Sequence, residues 1–250
     1  GQRGQPAGAC RAGAGSNYAG VLVILLAGFG FAQSLRKQGG PCSAMERRLV
    51  WFWGAVAGVA LLLMFGRFAP FYQFFYALPY VSTIRNPAKF LHIVQWALLI
   101  LFAYGAEALW RVGFTGAGSA ATGLIAQWQS WWARTRGFDR RWVTGSVVAL
   151  GLVGLTWLFC LSSREALEKH IVGLTYLQYQ AQGQKPDAAA AAEAAQATAR
   201  HTVGQIGRTV LFLIPAVGLV ALTLGGCFRG NRAKIAGLLF VGLLVADLAP

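Results

Sequence analysis

The residues best suited to chemistry lie together near positions 76–89, where polar and basic side chains interrupt otherwise apolar sequence. Asn86 and Pro87 predict a helix start, because asparagine caps a first turn and proline tolerates the first helical position. Arg85 and Lys89 flank that start. Basic side chains beside the free N–H groups of a helix are suited to an anionic headgroup. We therefore predict a lipid-phosphate site formed by Arg85, Asn86, Lys89, Tyr76 and Tyr80.

No other pattern in the sequence indicates a catalytic or metal site. The chain lacks the glycine-rich phosphate loops, the nucleophile elbow and the zinc-binding helix motif of soluble enzymes. Its histidines and cysteines are too widely spaced for a metal or redox site; they are His92, His170, His201, Cys10, Cys42, Cys160 and Cys227. We therefore expect no metal and no cofactor, and the sequence assigns no catalytic residue.

The composition indicates an integral membrane protein. Only 12% of the 250 residues are charged and 56% are hydrophobic, and the mean hydropathy is +0.51, whereas a soluble domain carries roughly 25% charged residues. The net charge of +14 could suggest nucleic acid as a partner. However, the basic residues form short clusters between apolar segments, as in membrane proteins, so we expect membrane lipids and no nucleic acid as partners.

Six apolar runs predict an all-α, polytopic transmembrane helical bundle. Most of them approach the roughly 20 residues that a helix needs to cross a hydrocarbon core of about 30 Å. The predicted spans are residues 17–35, 49–66, 89–109, 143–161, 209–227 and 235–248. We expect residues 1–16 to be a tail or the remnant of a preceding loop, and residues 17–250 to form one transmembrane domain. Because the chain lacks an initiator methionine, we expect it to be an internal fragment of a longer protein.

The segments between the spans also carry structural signals. Residues 70–83 are aromatic and too short to cross, which favours an interfacial or re-entrant segment. Leu124, Trp128 and Trp131 share one helical face, with Trp132 and Ile125 alongside, which predicts an amphipathic helix lying at the membrane interface. Residues 162–207 predict a helical hairpin outside the membrane core, with its second arm rich in alanine.

The distribution of lysine and arginine predicts the orientation. The first, third and fifth loops hold four, five and three basic residues in short segments. The opposite side holds two, three and five in longer segments, and acidic residues nearly cancel those of the hairpin. By the positive-inside rule, the odd loops face the cytoplasm. The aromatic loop, the hairpin and both chain ends are then expected outside a bacterial cytoplasmic (inner) membrane.

Residues 75–109, read as FYALPYVSTIRNPAKFLHIVQWALLILFAYGAEAL, resemble the extracytoplasmic basic-proline segment and following helix of YfhO-like bacterial membrane proteins. That family is related to the GT-C glycosyltransferases, which use polyprenyl-phosphate-linked sugars. The resemblance implies many transmembrane helices, an outward-facing site and a lipid-linked sugar donor. It places Arg85, Pro87 and Lys89 against the donor phosphate. The catalytic acid of such enzymes usually lies in the first outer loop, and no residue here matches it.

Other functions fit the same residues. Arg85 and Lys89 at a helix entry can act simply as anchors among lipid headgroups. A transporter or lipid flippase would place its site at mid-membrane among broken helices, and the predicted spans carry almost no charge at that depth. A non-enzymatic structural membrane subunit is the third alternative.

Overall fold

A computed structural model describes residues 18–36, 40–65, 89–115, 123–135, 137–181 and 188–249. Within these ranges the chain is helical and contains no strand, which confirms the all-α prediction for this part of the sequence. The α-helices are α1 (Val21–Ser34), α2 (Ala44–Met64), α3 (Phe90–Gly113), α4 (Leu124–Arg134), α5 (Phe138–Ser162), α6 (Arg164–Ala181), α7 (Ala188–Leu224) and α8 (Ala233–Leu248). A short 3₁₀ helix, Gly230–Arg232, precedes α8.

Four helices of the described chain are long and apolar enough to cross a membrane. They are α2, α3, α5 and the Gln196–Leu224 portion of α7. The helices at the first and last predicted spans are shorter than these four: α1 has 14 residues and α8 has 16. At about 1.5 Å per residue they extend roughly 21 and 24 Å, which is less than a hydrocarbon core of about 30 Å.

The chain forms two compact units, and the boundary between them falls inside α3, after Ala108. The first unit contains α1, α2 and the earlier part of α3, and the second runs from Leu109 to Asp247. The predicted single transmembrane domain over residues 17–250 stays a prediction.

In the first unit, α1 is the most buried helix. Ala27, Val50 and Leu101 form a small core, against which Phe31, Trp53, Leu98, Phe102 and Tyr104 pack. The helices α1 and α3 meet at two glycines: a Cβ atom on Gly30 would lie 2.7 Å from the backbone nitrogen of Gly105. Glycine is required at this crossing because the two backbones leave no space for a side chain.

In the second unit, α7 is the central element, and both α5 and α6 pack along it. Trp157 of α5 lies against Gly207 of α7, where a Cβ atom would approach the indole nitrogen within 2.8 Å. A second core joins Leu219, Phe228 and Ala236. Near the middle of α7, Arg208 donates a hydrogen bond of 3.1 Å to the backbone carbonyl of the buried Asp247.

Three helices begin well before the predicted spans. The helix α2 begins at Ala44 because Ser43 and Glu46 form a capping box, with Ser43 Oγ accepting from the Glu46 N–H at 3.2 Å and Glu46 Oε2 accepting from the Ser43 N–H at 2.7 Å. The helix α5 begins at Phe138, five residues before the predicted span. The helix α7 is continuous for 37 residues and includes Pro215, so the alanine-rich arm and the fifth span are one helix.

Candidate functional site

The predicted lipid-phosphate site is described only at its last residue. Arg85, Asn86, Tyr76 and Tyr80 lie outside the described residues. Lys89 is described: it is exposed and directly precedes α3, which begins at Phe90. The predicted start at Asn86 and Pro87 lies outside the described residues, so both that start and the grouping of the five site residues stay predictions.

The helical face below Lys89 is apolar and exposed. Ile93 and Trp96 follow Lys89 by four and seven residues, which places all three on one side of the helix. Both apolar side chains are exposed, whereas the neighbouring Val94 and Ala97 are buried. A basic group followed by an exposed isoleucine and tryptophan is typical of a helix end at the boundary between headgroups and acyl chains.

A second basic region lies in the second unit, where the turn after α7 meets α4 and the end of α3. The helix α7 ends in a Schellman motif: the Cys227 N–H bonds to the Leu222 carbonyl and the Gly226 N–H to the Thr223 carbonyl, both at 3.0 Å. Gly226 has a positive φ of 73°, which favours glycine. Its carbonyl accepts a hydrogen bond of 3.0 Å from Gln127 Nε2 of α4.

The same turn also contacts α3 and fixes the position of α4. Arg229 Nε donates to the Gly113 carbonyl at 3.3 Å. Trp128 lies so close to Gly225 that a Cβ atom there would be 2.9 Å from the indole ring. The third and fifth loops of the sequence, both rich in arginine, therefore meet at the same end of the second unit.

Three tryptophans of α4 form a cluster beside this turn. The Trp128 ring lies 5.0 Å from that of Trp131 and 5.7 Å from that of Trp132, measured between ring centroids. The sequence predicted a shared face for these residues, and their ring contacts confirm it. The guanidinium of Arg140, at the start of α5, lies 4.7 Å from the centroid of Trp132, which is within the range of a cation–π contact.

A groove of about 470 Å³ opens at the first turns of α5, lined by Gly137, Arg140, Arg141 and Thr144. Sequence reasoning identified the basic residues but not the groove, because a groove depends on how side chains are arranged in three dimensions. The signal in the sequence was the arginine pair that follows a tryptophan cluster.

The histidine, cysteine and acidic side chains of the described residues do not form a metal or nucleophilic site. Within the described ranges, no group of three histidine, cysteine or acidic residues could hold a metal ion. The thiol of Cys227 is buried in the turn after α7, and this burial raises its pKa above the ordinary 9.0, while the nearby Arg232 opposes the increase. A buried thiol with a raised pKa is a poor nucleophile at neutral pH.

No family model, curated protein or solved structure shows significant similarity to this chain.

Proposed function

We propose that the chain is a multi-pass protein of the bacterial inner membrane that binds a lipid-linked phosphate through residues 76–89 and belongs to a GT-C-type glycosyltransferase of the YfhO-like kind. The observation that carries this proposal is the exposed face formed by Lys89, Ile93 and Trp96. A lysine ammonium at the head of an apolar, lipid-exposed helix face can bind a phosphate whose acyl or prenyl chain lies along that face.

The proposed architecture has six spans. The four long apolar helices support four of them, and the apolar helices α1 and α8 would supply the first and the last, with local thinning of the bilayer compensating for their length. The packing of α6 along α7 supports a hairpin outside the membrane over residues 162–207. The tryptophan cluster of α4 supports its assignment as an interfacial helix.

In this proposal the phosphate of a polyprenyl-linked sugar binds between Arg85 and Lys89. If Asn86 caps the helix as predicted, the free N–H groups of its first turn would face the same phosphate. The ring faces of Tyr76 and Tyr80 would lie beside the sugar or the prenyl chain. The site binds and orients the donor, and the catalytic acid is not assigned to a residue of this chain.

The test compares Arg85→Gln and Lys89→Gln in the purified protein. A charge-assisted contact to a phosphate contributes about 1.5–3 kcal/mol, so each substitution should weaken polyprenyl-phosphate binding by roughly ten- to a hundred-fold. Lys169→Gln, an exposed position on α6, removes the same charge elsewhere and serves as the control. Binding and glycosyl transfer within about threefold of the parent for both variants would show that Arg85 and Lys89 are only helix anchors.

A non-enzymatic structural subunit is the second candidate, and the exposure of α5 favours it. Only 6% of the most apolar window of this helix is buried. Such a face suits lipid or another membrane subunit equally well. If the chain is a structural subunit, the parent should show no glycosyl transfer. Its Arg85→Gln variant should bind the surrounding lipids as the parent does.

A further inference from the structure

We propose that the groove at the start of α5 is a binding site for an anionic phospholipid, separate from the lipid-phosphate site proposed at residues 76–89. Two arginines, Arg140 and Arg141, line this groove together with Gly137 and Thr144. The ligand is a phosphodiester headgroup with its two acyl chains, of which phosphatidylglycerol is the simplest example.

The electrostatics of this end of the second unit favour an anion. The groove contributes two guanidinium groups, and Arg229 and Arg232 lie on the neighbouring turn, which α4 contacts. Asp139, in the same first turn of α5, is the nearby acidic residue. Basic residues close to an anionic membrane surface attract it, and the two arginines of the groove outnumber this carboxylate.

Trp132 contacts Arg140: the guanidinium lies over the indole ring, 4.7 Å from the ring centroid. This cation–π contact restricts the side chain, and a planar guanidinium can bind two phosphate oxygens through parallel N–H groups. Trp132 belongs to the Trp128–Trp131–Trp132 cluster, and tryptophan is enriched at the headgroup level of membranes.

An exposed apolar strip runs from the groove along α5 and identifies the ligand as a lipid. Arg141 and Thr144 share a helical face with four apolar residues spaced at i+4 and i+3 intervals. These are Val148, Leu152, Leu155 and Phe159, which are 55%, 61%, 64% and 69% exposed. Trp157, which contacts Gly207 of α7, lies on the opposite side of the helix. Headgroup and acyl chains can therefore occupy the groove and the strip together, which a soluble phosphate cannot do.

The test measures lipid binding to the detergent-solubilised protein by native mass spectrometry, with short-chain phosphatidylglycerol and phosphatidylcholine as probes. The parent should bind phosphatidylglycerol more tightly. Arg140→Gln with Arg141→Gln should weaken this binding by roughly ten- to thirty-fold, with little effect on phosphatidylcholine. Lys169→Gln with Arg200→Gln removes two exposed charges elsewhere and should leave the preference within about threefold of the parent.

Two further measurements distinguish charge recognition from packing, and a lipid from a soluble phosphate. Arg140→Lys with Arg141→Lys keeps the charge but not the planar guanidinium, so it should lose part of the preference and clearly less than the glutamine pair. A loss as large as that of the glutamine pair would mean that charge does not determine the preference, and would overturn the proposal. Inorganic phosphate should not displace phosphatidylglycerol, and displacement at millimolar concentration would overturn the assignment to a lipid. Equal binding of both lipids by the parent would also overturn it.

Discussion

At the scale of single residues, the tightest constraint lies where α1 crosses α3. A Cβ atom on Gly30 would lie 2.7 and 2.8 Å from the backbone nitrogen and Cα of Gly105, and one on Gly105 would collide with the carbonyl oxygen of Leu26. These contacts are with backbone, which cannot rotate away as a flexible side chain can. Small residues at such a crossing let two apolar helices approach closely enough for dispersion contacts along both.

We predict that Gly105→Ala destabilises the first unit. Overpacking of this kind costs about 1–3 kcal/mol, which should lower the melting temperature by several degrees in a chain of this size. The matched control is Gly58→Ala on α2, where a Cβ atom meets nothing within 4 Å and alanine should be neutral or slightly stabilising. Thermal unfolding in detergent measures both. Equal melting temperatures for the two variants would mean that the crossing is not close in solution.

At the scale of elements, α4 is held by a few specific contacts, although it is only 11 residues long. An isolated helix of this length is marginal in water, so its stability depends on tertiary packing. The hydrogen bond from Gln127 to the Gly226 carbonyl and the packing of Trp128 on Gly225 supply that packing. The amphipathic helix α4 therefore packs on the Schellman turn that ends α7.

Trp128→Ala should weaken the packing of α4 on the Schellman turn. Loss of the indole removes apolar contact worth roughly 1–3 kcal/mol, so amide hydrogen exchange over residues 124–134 should become about tenfold faster or more. Ile125→Ala is the control on the same helix, because Ile125 is 75% exposed, and it should change the exchange little. If exchange in α4 is the same in the Trp128→Ala variant and the parent, the helix is positioned by contacts other than those of Trp128.

At the scale of the whole molecule, the arginine-rich loops provide the argument for orientation. The third loop and the turn after α7 meet through Gln127, Gly226 and Arg229, as two loops on one side of a membrane should. From the positive-inside rule we predict that this side faces the cytoplasm. On that prediction the proposed phosphatidylglycerol site would belong to the inner leaflet and the polyprenyl-phosphate site to the outer leaflet.

The orientation is tested by cysteine labelling in intact cells, in a background where the four native cysteines are replaced. A cysteine introduced at Ser130 on α4 should react with an impermeant maleimide only after the cells are permeabilised. One introduced at Ser82, which lies outside the described residues, should react in intact cells. The reverse pattern would invert the topology and exchange the leaflets of the two proposed sites.

The sequence by itself determined that this protein is helical and apolar enough for a membrane. A chain crossing hydrocarbon must satisfy its own backbone, and the long uncharged runs allow only helices to do so within one segment. The shared face of Trp128, Trp131 and Trp132 was also readable, because it depends only on helical periodicity. The start of α2 was also readable but was predicted wrongly at residue 49: Ser43 and Glu46 form a capping box, which is a local signal, and the helix begins at Ala44.

Only the tertiary structure decided which helices touch and which faces stay exposed. In a span such as α5 nearly every side chain is apolar, so hydropathy cannot distinguish Trp157, which packs on α7, from Leu155, which is exposed. The contact between Gln127 and Gly226 joins residues 99 positions apart, and no local pattern encodes it. The groove lined by Arg140 and Arg141 is likewise not encoded in a local pattern, because its shape depends on the packing of side chains rather than on composition.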